Sequence, residues 1–250
     1  MTRPAIADEI EIWYSDPASL EDPARWAAAF ALLDCDERER LDRYHFERDR
    51  TLYLTGHALA RRALSRHADV APADWHFAAG RYGRPTVVAP TRMPSLQFNL
   101  AKTASLVACA VVRDREIGID VEQIVDASPA LIEECLAPGE IEQLRARPAP
   151  ERGELFAIYW TLKESYIKAR GFGLVLPVRR LAFELSDRAS PCLTLDHLAG
   201  SADDPEALVD DDPACWTFVC LRPTPRHRAA VCVDHARDAP PPGVVEYWDP

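Results

Sequence analysis

"IGIDVEQI", residues 117–124, combines an apolar strand pattern with two neighbouring carboxylates. Successive side chains of an extended strand point to opposite faces. One face is apolar throughout and carries Ile117, Ile119 and Val121. The other face presents Asp120 and Glu122 beside Gly118, whose missing side chain is expected to leave space in front of them. The segment is therefore predicted to be a strand with an apolar back and a charged front.

The segment "WTLKESYIKARGFG" lies in a predicted helix of residues 152–170. At 100° per residue the helix has an apolar stripe, formed by Leu155, Ile158, Tyr159, Leu162, Tyr166 and Ala169. Trp160, Glu164 and Lys168 fall on the opposite side, and a tryptophan there indicates that another element covers that side. Gly171 is the expected left-handed end of the helix. Taken alone, the pattern also fits an ordinary Glu–Lys pair beside a half-buried tryptophan.

The two segments together predict a metal site. Glu164, brought next to Asp120 and Glu122, would complete an all-oxygen cluster of the kind that Mg²⁺ prefers, with Mn²⁺ as a substitute. Lys168, one turn further along the helix, would meet the negative charge that develops on a phosphate leaving group. A divalent cation between the carboxylates would explain why these like charges stand together.

Composition limits the class of protein. The 250 residues are 48% hydrophobic, enough for a core without disulfides or structural metal. The formal net charge of −11 disfavours a general nucleic-acid or anionic-membrane binder. With no signal-like or membrane-spanning segment, the chain is expected to be cytoplasmic. Its seven cysteines are expected to be reduced, with Cys109, Cys220 and Cys232 in the core.

Alternating apolar residues predict ten short strands, with helices between them. The strands are "IEIWY", "DWHFAA", "PTVVA", "LQFNL", "SLVACAVV", "EIGIDVE", "RLAFEL", "CLTLD", "CWTFVCL" and "RAAVCVD". The strongest helices span residues 47–67, 128–146 with a break near Pro138, and 152–170. This order predicts an α+β chain of two similar subdomains, 1–115 and 116–250.

Two motifs resemble those of the Sfp-type 4'-phosphopantetheinyl transferases: "GIDVE" (118–122) and "WTLKESYIKARGFGL" (160–174). Weaker matches are "GRP" (83–85) and "FNL" (98–100). Their order and spacing agree with the family from about residue 36 to about residue 185. The resemblance implies two α/β subdomains with antiparallel sheets, related by pseudo-twofold symmetry.

The resemblance also implies an activity, which is transfer of the phosphopantetheine arm of coenzyme A to a serine of an acyl or peptidyl carrier protein. The products are the holo carrier and 3',5'-ADP, and the enzyme is expected to act as a monomer. By the motif match Asp120, Glu122 and Glu164 bind Mg²⁺, Glu164 is also the base for the carrier serine, and Lys168 contacts the leaving phosphate. These residues belong to the 116–250 subdomain.

Nucleotide contacts are expected in the 1–115 subdomain. Arg40 and Arg84 match family positions that contact the 3'-phosphate and adenine end of coenzyme A. Lys163 is assigned only by the motif, and a structural role and a phosphate contact are both open. A further basic set, Arg50, His57 and Arg61, lies on one side of the helix of residues 47–67, where a solvated face is the simplest interpretation, with His57 as a packing or capping group.

One departure from the family separates this chain from its relatives. "FNLAKT" stands where the family has a serine and a histidine after F-N-x, so that Ala101 and Lys102 occupy those positions. Lys102 is expected to bind a coenzyme A phosphate as a point charge. Two other interpretations remain open: a catalytically silent coenzyme A or carrier-protein binding module, and an unrelated Mg²⁺-dependent phosphohydrolase.

Overall fold

The computed structural model describes residues 9–80, 85–90, 96–171, 178–185, 191–195, 212–235 and 242–249. The chain divides into two compact units, one of Met1–Ile117 together with Pro242–Pro250 and one of Gly118–Pro241. Both units combine helices with antiparallel strand pairs, which confirms the predicted α+β class.

The helices and strands follow one another in this order: β1 (Glu9–Ser15), α1 (Pro23–Phe30), α2 (Cys35–Asp42), α3 (Glu47–Leu64), β2 (His76–Ala79), β3 (Pro85–Ala89), β4 (Leu96–Lys102), β5 (Val107–Arg113), β6 (Ile117–Gln123), α4 (Pro129–Cys135), α5 (Pro138–Ala146), α6 (Ala149–Arg170), β7 (Leu181–Glu184), β8 (Cys192–Leu195), β9 (Trp216–Thr224), β10 (His227–Asp234) and β11 (Gly243–Trp248). All ten predicted strands are present, as is the break between α4 and α5 at Pro138.

The first unit is built on a four-stranded sheet in the order β11-β1-β5-β4. Helix α3 packs against β5, β4 and β1, and the core between them includes Leu59, Trp75 and Phe98. Strands β2 and β3 form a separate antiparallel pair. Helices α1 and α2, which the sequence patterns did not predict, pack against α3.

The last strand corrects the predicted subdomain boundary. Residues 242–250 were expected to belong to the 116–250 subdomain, but β11 pairs in parallel with β1 and belongs to the first unit. The rings of Trp13 and Tyr247 stack with centroids 4.6 Å apart, and the Tyr14 hydroxyl donates to Glu246 at 2.9 Å. The proline run ahead of β11 obscured its strand pattern.

The second unit contains a three-stranded sheet in the order β6-β10-β9, and helix α6 packs against β10. Tyr159, Leu162 and Tyr166 of the predicted stripe are fully buried and contact Phe218 and its neighbours in one core cluster. Helix α6 ends at Gly171, whose φ of 66° is left-handed as predicted. The hydrophobic periodicity of α6 therefore predicted its inward face, and Gly171 predicted its end.

All seven cysteines are free, as expected from the sequence. Cys109 and Cys232 are buried, but Cys220 is exposed on β9, so the prediction that it belongs to the core is wrong. Strand β9 lies at the edge of its sheet, and Cys220 lies beyond the buried Phe218, in the half of the strand where Arg222 is also exposed. None of the helices in the described ranges has the length and hydrophobicity needed to cross a membrane.

Gly118 brings the backbones of β6 and α6 into direct contact. A Cβ built at residue 118 would lie 2.0 Å from the carbonyl oxygen of Ser165 and 2.4 Å from the amide nitrogen of Ala169. The space expected in front of the carboxylates is thus occupied at this point by the helix itself. Any side chain at residue 118 would push α6 away from the strand.

We expect Gly118→Ala to destabilise the protein, because both clashing groups are backbone atoms that cannot rotate away. Overpacking of this kind costs on the order of 3 kcal/mol. The measurement is the thermal midpoint, which should fall by roughly 6–12 °C. Gly139→Ala is the matched control, since a Cβ at residue 139 meets nothing within 4 Å. Equal midpoints for the two variants would contradict the close approach.

Candidate active site

Helix α6 presents one side to the charged face of β6. Trp160 Nε1 donates to Glu122 Oε1 at 3.2 Å, and Lys168 Nζ donates to Asp120 Oδ1 at 2.6 Å. Trp160 precedes Lys168 in α6, whereas its partner Glu122 follows Asp120 in β6, so the two elements run in opposite directions. Glu164 lies between the two contacts in the helix sequence. The prediction that another element covers the tryptophan side of this helix is confirmed.

The three carboxyl groups share an environment that disfavours their ionised forms. Burial raises the pKa of Asp120, although the ammonium group of Lys168 counteracts it. Burial and then the charge of Asp120 raise the pKa of Glu122 to about 7. Burial also raises the pKa of Glu164, with Lys168 opposing and Asp120 adding to the shift. A bound cation would favour the ionised forms.

Two carboxylate oxygens of this cluster lack hydrogen-bond partners within the described part of the chain. They are Asp120 Oδ2 and Glu164 Oε1, and both atoms are buried. A buried acceptor without a partner costs about 1–3 kcal/mol, so such atoms call for a ligand. Hard oxygen donors suit Mg²⁺. The chemistry of the donor set therefore fits a divalent cation.

The carboxylates of Asp120, Glu122 and Glu164 are not arranged as the ligands of a bound metal ion. Among the described residues, no group of three or more His, Cys, Asp or Glu side chains has the arrangement of a metal-binding group. Asp120 and Glu122 each give one oxygen to a hydrogen bond with α6. Cation binding would require these side chains to move closer together, with Lys168 releasing part of its contact.

Lys163 lies on another side of α6 and is fully buried. Its Nζ is 2.6 Å from Glu140 Oε2 and donates to the carbonyl oxygens of Cys135 at 2.9 Å and Val178 at 3.2 Å. Glu140 also accepts from the Phe183 amide at 2.9 Å. Lys163 thereby ties α6 to α4, to α5 and to the segment at Val178, and Glu140 extends the connection to β7. Of the two roles left open by the sequence, the structural one is correct.

Two predicted coenzyme A ligands lie near each other in the first unit. Arg40 is exposed on α2, with its guanidinium 5.8 Å from the ring centroid of Tyr53 on α3. Lys102 is the last residue of β4 and is also exposed. Desolvation lowers the pKa of Lys102; the charge of Asp49 opposes this shift, and the smaller effect of Arg40 adds to it. Arg84 lies outside the described residues.

The solvated interpretation of the basic set on α3 is wrong for Arg61, whereas His57 packs against the Tyr53 ring, as expected. Arg61 is fully buried and donates to both carboxylate oxygens of Glu37, at 2.9 Å and 2.5 Å. His57 Nδ1 lies 2.6 Å from Glu37 Oε1. Only Arg50 remains near solvent, 3.4 Å from Asp42 Oδ1. The sequence of α3 alone does not reveal that α2 covers this side.

Glu37 is the polar residue that sequence reasoning missed. It forms a capping box with Asp34 at the start of α2, in which each side chain bonds the other's backbone amide. An acidic cap followed three residues later by Glu is a recognised start signal for a helix. The tetrapeptide "DCDE", residues 34–37, could therefore have located α2.

Comparison with known proteins gives matches over both units. Residues 116–232 match the model of the 4'-phosphopantetheinyl transferase superfamily, and residues 21–113 match the model described as 4'-phosphopantetheinyl transferase, N-terminal. The chain is 33% identical over 175 residues to the 4'-phosphopantetheinyl transferase HetI of Nostoc sp., covering 68% of this chain and 71% of that one.

Two further relatives extend the comparison. The 4'-phosphopantetheinyl transferase Sfp of Bacillus subtilis is 28% identical over 191 residues, covering 72% of this chain and 82% of that one. The L-aminoadipate-semialdehyde dehydrogenase-phosphopantetheinyl transferase of Xenopus laevis is 24% identical over 234 residues, covering 87% and 74%. With both halves matched and two thirds of a relative aligned at one residue in three, the chain belongs to the Sfp-type 4'-phosphopantetheinyl transferase family.

Proposed function

We propose that the chain transfers the 4'-phosphopantetheine arm of coenzyme A to a serine hydroxyl of an acyl or peptidyl carrier protein. A bond forms between the serine oxygen and the phosphorus of the arm, and the pyrophosphate bond to 3',5'-ADP breaks. The observation that carries the proposal is the α6–β6 cluster, where Asp120, Glu122, Glu164 and Lys168 meet within the matched family region. Neither a silent binding module nor a phosphohydrolase is supported by the relatives.

Glu164 is the proposed base for the carrier serine. Burial raises the pKa of its carboxyl group, which increases the affinity of the carboxylate for a proton. One of its oxygens, Oε1, is the proposed metal ligand, which leaves the other oxygen to accept the serine proton. The serine proton would pass to this carboxylate, directly or through a water molecule.

Asp120, Glu122 and Glu164 would hold Mg²⁺. The bound ion would supply Lewis-acid stabilisation of the charge on the pyrophosphate oxygens. The unpartnered oxygens of Asp120 and Glu164 and the raised pKa of all three carboxyl groups support this assignment. Lys168, which pairs with Asp120, keeps a positive charge beside the cluster and would contact the leaving phosphate.

The cationic residues of the first unit would bind the nucleotide end of coenzyme A. Arg40 and Lys102 are close enough for the charge of Arg40 to lower the pKa of Lys102, although Asp49 offsets this effect, and an anion between the two cations would be attracted by both. Among described residues Arg40 makes no ion pair, so its guanidinium is available for a phosphate. Arg84 is assigned to the same end of coenzyme A by its motif alone.

The function is tested by the intact mass of an apo carrier protein after incubation with this chain, coenzyme A and Mg²⁺. We expect the mass to increase by one phosphopantetheine, because the serine hydroxyl becomes a phosphodiester. A carrier with its serine replaced by alanine is the control and should keep its mass. The proposal would be contradicted if this chain left unmodified the carriers that the Bacillus subtilis relative loads.

The metal assignment is tested by thermal unfolding with and without Mg²⁺. Binding at one hundred times the dissociation constant stabilises the folded state by about 2.7 kcal/mol, so Mg²⁺ should raise the midpoint. Asp120→Asn should remove that rise and lower turnover by roughly 10²-fold, because a charged ligand is lost. Glu142→Gln, an exposed change on α5, should keep the rise. An undiminished Mg²⁺ effect in Asp120→Asn would refute the site.

Lys102 is tested by coenzyme A kinetics. Lys102→Ala should raise the KM for coenzyme A by about 10-fold, equivalent to ~1.4 kcal/mol, while the KM for the carrier stays the same. Lys102→His should recover part of the loss, more at pH 6 than at pH 8, because an imidazole is cationic mainly below its pKa near ~6.5. If Lys102→Ala binds coenzyme A normally, the side chain is only a solvated lysine.

A further inference from the structure

Glu37 connects α2 to two residues of α3. Its Oε1 contacts His57 Nδ1 at 2.6 Å and Arg61 Nη1 at 2.9 Å, and its Oε2 accepts from Arg61 Nη2 at 2.5 Å. The carboxylate is almost completely buried, with 7% of the residue exposed, and Arg61 is fully buried. A buried and fully paired carboxylate of this kind fixes the separation and the orientation of the two helices.

Arg61 is itself held in place. It donates to the carbonyl oxygen of Trp75 at 3.1 Å, and its guanidinium lies 4.6 Å from the ring centroid of Phe77. The Arg61 side chain is therefore a fixed point to which Glu37 is bonded, and α2 cannot shift along α3 without breaking these bonds. Breaking a buried charge pair by removing one partner is strongly destabilising, because it leaves the other charge buried and unpaired.

Helix α2 has little else to hold it. It is eight residues long, and its only buried residues are Glu37 and Leu41. A helix this short is not stable by its own propensity and depends on tertiary contacts. The Glu37 carboxylate is therefore the main polar anchor of α2, and Leu41 is the main apolar one.

Arg40 lies one turn beyond Glu37 on the same helix and contacts the same partners indirectly. Its guanidinium lies over the ring of Tyr53, and the rings of Tyr53 and His57 are 4.0 Å apart. Tyr53 and His57 are one turn apart on α3, as Glu37 and Arg40 are on α2. A buried contact at Glu37 and an exposed one at Arg40 therefore join the helices next to one another, and the exposed pair of Asp42 with Arg50 adds a third contact.

The carboxylate form of Glu37 is favoured by these partners. Burial alone would raise its pKa, but the hydrogen bond from His57 and the charges of His57 and Arg61 outweigh burial, so that the pKa lies below its usual value. The bonds that fix α2 are thus charge-assisted, which makes them about twice as strong as neutral hydrogen bonds.

We propose that Glu37 is a positioning residue for nucleotide recognition: by bonding His57 and Arg61 it holds α2 at the place where Arg40 can grip the 3'-phosphate of coenzyme A. This rests on the proposed transferase function, in which Arg40 contacts that phosphate. Glu37 is buried, so it would act on the ligand only through Arg40. Its effect should therefore be confined to ligands that carry the 3'-phosphate and should require Arg40.

The test is calorimetric binding of 3',5'-ADP and of AMP, which lacks the 3'-phosphate, to the full chain. Glu37→Gln should weaken 3',5'-ADP binding by about 10-fold and leave AMP binding unchanged. Arg40→Ala should weaken 3',5'-ADP binding similarly, and adding Glu37→Gln to it should cause no further loss, because both changes remove one interaction. Additive losses, or an equal loss for AMP, would overturn the proposal.

Glu11→Gln is the matched control, because Glu11 is also a half-buried carboxylate of the first unit beside a histidine, with Oε2 3.3 Å from His67 Nε2. It should leave the preference for 3',5'-ADP over AMP intact. His57→Phe is a milder variant that keeps a ring against Tyr53 and removes one bond to Glu37. It should weaken 3',5'-ADP binding by about 3-fold, and it decides the matter if Glu37→Gln does not fold.

Failure of the transferase function gives a different result. If the unaltered chain neither loads a carrier nor binds 3',5'-ADP, the proposed function itself is wrong. If the unaltered chain does both and Glu37→Gln binds 3',5'-ADP as tightly, only the positioning role of Glu37 is wrong.

Discussion

The second unit depends on contact between two backbones at Gly118. Because this residue has no side chain, the carbonyl of Ser165 and the amide of Ala169 can approach the strand to distances that any other residue would prevent. That approach fixes the height of α6 above β6, and the contacts of Trp160 with Glu122 and of Lys168 with Asp120 follow from it. The glycine of the "GIDVE" motif thus sets the distance between α6 and the two acidic residues of the motif, Asp120 and Glu122.

The same close approach creates an electrostatic problem. Three carboxyl groups are brought together under a helix where water is scarce, and each has a raised pKa for that reason. Lys168 compensates for only part of this charge, and the core on the other side of α6, with Tyr159, Leu162 and Tyr166, holds the helix in place. Packing energy from the core therefore maintains an acidic cluster that the carboxylates alone would push apart.

The sequence predicted those elements whose structure can be recognised from the pattern of their own residues. The alternation in β6, the apolar stripe of α6 and the left-handed Gly171 were readable because each depends on neighbours in sequence. The burial of Arg61 and the ion pair of Lys163 were not, since the partners Glu37 and Glu140 lie more than twenty residues away in sequence. A lysine or arginine on a helix looks the same in sequence whether its partner is water or a buried carboxylate. The strand after the proline run was missed for a related reason, because its partner β1 lies at the other end of the chain, whereas α2 was missed although it carries a local capping signal.

The parallel pairing of β1 with β11 makes the first unit discontinuous, with the whole second unit inserted between β5 and β11. During synthesis β1 leaves the ribosome early, but its outer edge has no partner until the last strand is made. Until then the strand "EIEIWYS" presents unpaired amides and carbonyls together with Trp13, a surface open to pairing with other chains. Contacts between residues so far apart in sequence form slowly. The order of elements along the chain thus allows the second unit to fold before the sheet of the first unit gains β11.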